Sequence, residues 1–93
     1  TKVVDIVRSL DQYNAEVDVY DPWIDPPEAY EEYGLTCLAE MPPEGRYAAI
    51  ILAVAHHQFM DLGEDGVKSL GLPGAVVFDV KSMLPAGAAD ARL

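Results

Sequence analysis

The hydrophobic positions of this chain first recur with the period of a helix. From residue 3 onward, apolar side chains are spaced three and four residues apart, which puts them on one helical face. They are Val3, Val4, Ile6, Val7, Leu10 and Tyr13, and Thr1 is positioned as the N-cap. Residues 15–22 then alternate apolar with polar and end at Asp21-Pro22, which predicts a strand followed by a turn.

A short second helix is predicted between Asp25 and Gly34. A cap-like acid, two prolines in the first turn and a glycine at the end are typical of helix boundaries. Residues 35–41 predict a short edge strand. The aliphatic run Ala48–Ala55 then predicts a central parallel strand, covered by helices on both faces.

The remaining pattern predicts helix, then strand, then a loose end. Residues 57–70 have helical spacing, and Gly63 and Gly66 are expected to divide them into two pieces. Residues 72–74 are predicted to form a turn, and a second buried strand is predicted over 75–81. The polar tail from Pro85 is predicted to be loosely ordered.

This alternation of helices and strands predicts an α/β fold, a Rossmann-like three-layer parallel sheet in one domain, residues 1–93. Such a unit normally opens with a central strand, but this pattern begins on a helix, so the first central strand is predicted to be lacking. Either the flanking strands pair directly, or another copy of the chain supplies the strand and forms a homo-oligomer through that edge.

Charge narrows the class of ligand. The 93 residues have a formal net charge of -10, which argues against nucleic acid and anionic membrane surfaces as partners. An anionic nucleotide would need backbone N–H groups and a local cation. The candidates are Lys2, Arg8, Arg46, Lys68, Lys81 and Arg92. A single cysteine, no membrane-length apolar run and no signal-peptide pattern predict a cytoplasmic protein.

Candidate ligand contacts follow the predicted strands, because parallel α/β sheets bind ligands beyond their carboxyl ends. Asp21 occupies the place of an acid that contacts ribose hydroxyls, although Asp-Pro after a strand is also a common turn, and the turn is favoured. Lys81 could pair with a diphosphate, but from the residues alone an exposed lysine that neutralises Asp79 is favoured. Residues 15–22, 48–56 and 75–81 are expected to bring their ends to one edge.

Other reactive side chains have structural explanations. His56 and His57 are adjacent and have no acidic or Cys partner at ligand spacing, so a structural or capping role is favoured over a metal site. Cys37 lies among apolar residues, which tends to raise a thiol pKa and leave it unreactive. The sequence has no glycine-rich phosphate loop and no zinc motif, so it predicts no catalytic residue and no metal ligand.

Four segments, in this order and at these intervals, resemble the C-terminal UDP-binding domain of the UDP-glucose/GDP-mannose dehydrogenase family. They are "TKVVDIVRSL", "AEVDVYDPW", "YAAIILAVAHHQF" and "VVFDVKSMLP". The resemblance covers essentially the whole chain. It is strongest to the branch that acts on UDP-N-acetylhexosamines for surface polysaccharides, of the Vi-antigen type.

The resemblance implies a fragment of a larger dehydrogenase that oxidises the C6 alcohol of a UDP-sugar to a carboxylate. In the family, NAD binds mainly in a separate N-terminal domain, and a cysteine in an upstream glycine-rich motif forms a thiohemiacetal. "LTCLA" does not match that motif, so the fragment alone is expected to be inactive. Its partners would be the UDP-sugar and the rest of the parent enzyme.

The resemblance also implies roles for individual residues. Lys81 in "DVK" matches the family's Arg or Lys that holds the nucleotide, and Asp79 would brace that segment. The family's other binding lysine precedes the first helix and has no counterpart here. His57 and Ala91 depart from the family's pattern, so the roles of individual family residues carry over to this chain less directly. The alternatives are a flavodoxin-like or receiver-like interaction module, or an assembly module, without catalysis.

Overall fold

The computed structural model describes residues 2–92, which divide between Pro42 and Pro43 into two compact units. Both units are α/β, and every strand pair in them is parallel. The α/β, Rossmann-like class predicted from the sequence is therefore confirmed. Thr1, the predicted N-cap, lies outside the described residues.

The first unit contains two helices and two short strands. They are α1 (Lys2–Gln12), β1 (Val19–Tyr20), α2 (Pro26–Tyr33) and β2 (Cys37–Leu38). The strands pair in parallel with Val19 opposite Cys37. Gly34 ends α2 at a φ of 69°, and its N–H donates to the Tyr30 carbonyl at 2.9 Å, so the prediction that this glycine stops the helix is confirmed. Asp25 is the N-cap residue of α2, but its side chain makes no capping hydrogen bond.

The second unit contains a parallel sheet of three strands in the order β3-β4-β5. Its elements are β3 (Tyr47–Leu52), α3 (His57–Met60), α4 (Gly63–Ser69), β4 (Gly71–Asp79) and β5 (Ala91–Arg92). Gly63, at a φ of 68°, separates the two helices as predicted. Gly66 lies inside α4, so the prediction that it also breaks the helix was wrong.

The core of the second unit lies on one face of this sheet. Leu52 and Val77 pack there with Val67 of α4 and with Leu84 and Ala88 from the segment after β4. On the other face Val76 keeps 51% of its surface exposed and Ile51 keeps 37%. The predicted burial of the aliphatic run on both faces is therefore wrong for the described chain, because helix and loop cover only one of them.

Strand order also departs from the sequence prediction. Residues 48–56 and 75–81 do supply neighbouring parallel strands, as expected. However, β4 is the middle strand and β3 is an outer one, since β5 pairs with the far side of β4. β1 pairs with β2 and not with β3 or β4, so the described residues form two sheets. The expectation that residues 15–22 lie beside the other two segments, by direct pairing of the flanking strands, is therefore wrong for the described residues. The absence of a first central strand stays a prediction.

The tail is ordered, against expectation. Ala88 is buried in the core, and Ala91–Arg92 form β5 against the end of β4. Asp90 holds the tail against β4. Its Oδ2 accepts a hydrogen bond from the Val77 N–H at 2.8 Å, and its own N–H donates to the Val77 carbonyl at 2.9 Å. The tail from Pro85, which its composition predicted to be loosely ordered, is therefore held by the buried side chain of Ala88 and by the carboxylate of Asp90.

Candidate functional site

The carboxyl ends of β3, β4 and β5 lie side by side. In the strand register Leu52 is opposite Asp79, and Asp79 is opposite Arg92. The Val80 N–H continues the ladder by donating to the Leu52 carbonyl at 3.0 Å. Because all three strands are parallel, the residues after them emerge at one edge, which we call the carboxyl edge.

Asp79 is fully buried at this edge, with 0% of its surface exposed. Its Oδ1 accepts a hydrogen bond from the Met83 N–H at 3.0 Å, and its Oδ2 accepts one from the Leu84 N–H at 2.8 Å. Backbone donors of this kind are what a buried carboxylate requires. The carboxylate therefore braces the turn at residues 80–84, and a direct contact between Asp79 and a ligand stays a prediction that this geometry does not favour.

Lys81 lies at the exposed tip of that turn, two residues beyond the buried carboxylate. Ser82, the next residue, has a φ of 54°, in the left-handed region that few residues other than glycine adopt. The bonds to Asp79 hold the backbone in this conformation. Lys81 makes no ion pair with another described residue, so the alternative that it neutralises Asp79 is not what the structure has.

Asp21 lies in the first unit, directly after β1. Its Oδ1 accepts a hydrogen bond from the Trp23 N–H at 2.8 Å, and its carbonyl accepts one from the Ile24 N–H at 3.2 Å. This is the turn that Asp-Pro predicted, stabilised by the aspartate side chain. A contact between Asp21 and the ribose of a nucleotide stays a prediction.

His56 begins α3. Its carbonyl accepts hydrogen bonds from the N–H groups of Phe59 at 3.0 Å and Met60 at 3.2 Å, and its ring is tilted against the Phe59 ring at 5.9 Å between centroids. The His56 side chain makes no capping hydrogen bond, and His57 lies inside α3, so neither imidazole caps the helix. The ring contact with Phe59 agrees with the predicted structural role of His56. Within residues 2–92, no three His, Cys, Asp or Glu side chains come together as a metal site would require.

Cys37 is partly buried in β2. Burial raises the pKa of its thiol, and the nearby negative charge of Asp21 raises this pKa further. Both effects keep the sulfur protonated and weakly nucleophilic near neutral pH. The prediction that its surroundings raise the thiol pKa is confirmed.

Sequence reasoning missed the position of Arg92. It counted this arginine only among six possible cations, whereas parallel pairing of β5 puts it beside Asp79 at the carboxyl edge. A strand of two residues is too short to show a period, so no hydrophobic pattern could have revealed it. The one available signal was Asp90, a side chain that can bond backbone groups.

A parallel α/β sheet with a basic side chain beyond its middle strand is typical of the class of folds that bind anionic nucleotides at that edge. Within that class, the chain is a member of the UDP-glucose/GDP-mannose dehydrogenase family, because residues 1–86 match the family's UDP binding domain. The match runs across both compact units. The family resemblance stated from the sequence is confirmed.

Two curated relatives are similar to the whole chain. It is 46% identical over 93 residues to a UDP-N-acetyl-D-glucosamine 6-dehydrogenase of Pseudomonas aeruginosa, and 39% identical over the same length to one of Salmonella typhi. The chain spans 22% of the length of each. No solved structure is similar enough to count as a match. None of the described helices is both long and apolar enough to cross a membrane.

Proposed function

We propose that this chain binds the UDP part of a UDP-sugar at the carboxyl edge, with Lys81 as the cation that contacts the diphosphate. The observation that supports this most directly is the turn braced by Asp79, which holds an exposed lysine beyond the middle strand of the sheet. Asp79 is a positioning residue in this proposal.

Electrostatics explains why the position of one lysine matters. The chain has a formal net charge of -10, so its average surface repels a diphosphate. The negative charge nearest to Lys81 in sequence, Asp79, is buried and already accepts two backbone hydrogen bonds. Lys81 is therefore available to an anionic ligand and does not form an internal ion pair among the described residues.

The larger activity we propose is that of an NAD-dependent UDP-sugar 6-dehydrogenase, which oxidises a C6 alcohol to a carboxylate for polysaccharide biosynthesis in the cytoplasm. The names of the two relatives support UDP-N-acetyl-D-glucosamine as the substrate. This chain would contribute substrate binding, and the remainder of the parent enzyme would contribute the reactive cysteine. The family match disfavours the flavodoxin-like or receiver-like alternative.

The described residues of this chain do not fit NAD. A dinucleotide site needs a glycine-rich turn between a strand and a helix, where the backbone can approach the pyrophosphate. The described strand-to-helix connections, residues 21–25 and 53–56, contain no glycine. NAD would therefore be held mainly outside this chain.

Titration with UDP tests the binding proposal. We expect Lys81→Ala to weaken UDP binding about tenfold, or ~1.4 kcal/mol, because one charged hydrogen bond is lost. The measurement is isothermal titration calorimetry at low salt. Arg46→Ala is the matched control: it removes the same charge immediately before β3, at the amino end of the sheet. Equal affinities of the Lys81→Ala variant and the unmodified chain would remove Lys81 from the site.

A second candidate role is assembly through β3. No described strand pairs with its outer edge, and unpaired strand edges recruit other backbones. A second copy of the chain could then occupy the place of the first central strand. We expect sedimentation velocity to show a concentration-dependent dimer, and Ile51→Lys, at an exposed position of β3, to shift it towards monomer. A monomer at every concentration would refute this role.

A further inference from the structure

The last strand brings a second cation to the carboxyl edge. β5 is parallel to β4, with Ala91 opposite Phe78 and Arg92 opposite Asp79. Neighbouring strands lie about 4.8 Å apart, so Arg92 starts one strand spacing from the residue that braces the Lys81 turn. Arg92 is exposed and makes no ion pair with any other residue in the described part of the chain.

The position of Arg92 is fixed by contacts that precede it. Asp90 makes two hydrogen bonds to the backbone of Val77, one through its carboxylate and one through its own N–H. Ala88 is buried against the same core as Leu84, which belongs to the Lys81 turn. The segment before Arg92 and the turn that carries Lys81 are thus anchored on the same core.

Two acids of this edge, Asp79 and Asp90, accept hydrogen bonds from the backbone. Asp79 accepts hydrogen bonds from two N–H groups, and the carboxylate of Asp90 accepts one from the Val77 N–H. Lys81 and Arg92 can therefore both act on an external anion. A guanidinium can bind two phosphate oxygens at once, and an ammonium adds a compact charge beside it.

We propose that Arg92 and Lys81 together bind the diphosphate of a nucleoside diphosphate, with Arg92 as the second cation. This inference rests on the proposed function, because it concerns the same edge and the same ligand. It extends that function to a residue outside the stretch 1–86 that matches the family's UDP binding domain. Two phosphate groups give each cation a partner, whereas a monophosphate gives them only one.

The test is a titration of the 93-residue chain with UDP, UMP and uridine. Arg92→Ala is expected to weaken UDP binding about tenfold, UMP binding less, and uridine binding not at all. Arg92→Lys should recover part of the loss, because it keeps the charge but not the bidentate geometry. Arg46→Ala makes the same change in net charge at the amino end of the sheet, away from the carboxyl edge. It should change the affinity for UDP by less than about twofold.

Each contrary result has a distinct meaning. If Lys81→Ala weakens UDP binding and Arg92→Ala does not, the second cation is refuted and the proposed function stands. If neither substitution has an effect, or the unmodified chain does not bind UDP, both proposals fail for this chain. An equal loss of UDP and uridine binding in Arg92→Ala would refute the phosphate contact. Equal losses in Arg92→Ala and Arg46→Ala would reduce the effect to net charge and refute it too.

Discussion

Replacing Asp79 with alanine is expected to lower the free energy of unfolding by about 3 to 5 kcal/mol, because two charged hydrogen bonds are lost at once. The carboxylate is fully buried, and its oxygens accept the N–H groups of Met83 and Leu84. Alanine leaves the N–H groups of Met83 and Leu84 without this acceptor, at a position that is buried from solvent. Asp79→Asn should cost less, since its amide keeps one acceptor oxygen.

Urea unfolding followed by circular dichroism measures this loss. Asp61→Ala is the control, because Asp61 is an exposed aspartate of the same unit and its replacement should change stability by less than about 0.5 kcal/mol. If Asp79→Ala were as stable as Asp61→Ala, the carboxylate would not be bracing the turn. The proposed positioning of Lys81 would then lose its structural basis.

Truncation of Leu84 is expected to cost about 2 to 4 kcal/mol of unfolding free energy through a cavity in the core. Only 5% of this leucine is exposed, and it packs with Leu52, Val67 and Val77. Leu72→Ala is a matched control within the same unit, since Leu72 is 47% exposed and should lose less than about 1 kcal/mol. The same denaturation assay compares the two variants, and equal losses would contradict the assigned core.

These two residues link stability to the site. Asp79 holds the turn from beneath by hydrogen bonds, and Leu84 fixes its far end in the core. Lys81 lies between them on the exposed side. A variant that remains folded but loosens this turn should therefore bind UDP more weakly without any change in charge, because the lysine must be ordered during binding.

Much of the fold followed from local pattern. The aliphatic runs that begin at Ala48 and Ala75 predicted two parallel strands, and these strands are neighbours. Proline and glycine signals predicted the ends of α2, since helix boundaries depend on residues within a turn of them. The family could be named from the order of four segments, and the match over residues 1–86 confirms it.

The sequence by itself thus determined the α/β class, the family and the choice of Lys81 as a candidate cation. Only the tertiary structure decided that Asp79 is buried beneath the Lys81 turn, that β4 is the middle strand of its sheet, and that β5 brings Arg92 to the same edge. The physical reason is the range of the interactions. Helix ends and the periodicity of strands depend on residues that are close in sequence. Strand order and the hydrogen bond between Asp90 and Val77 depend on residues that meet only after the chain has folded.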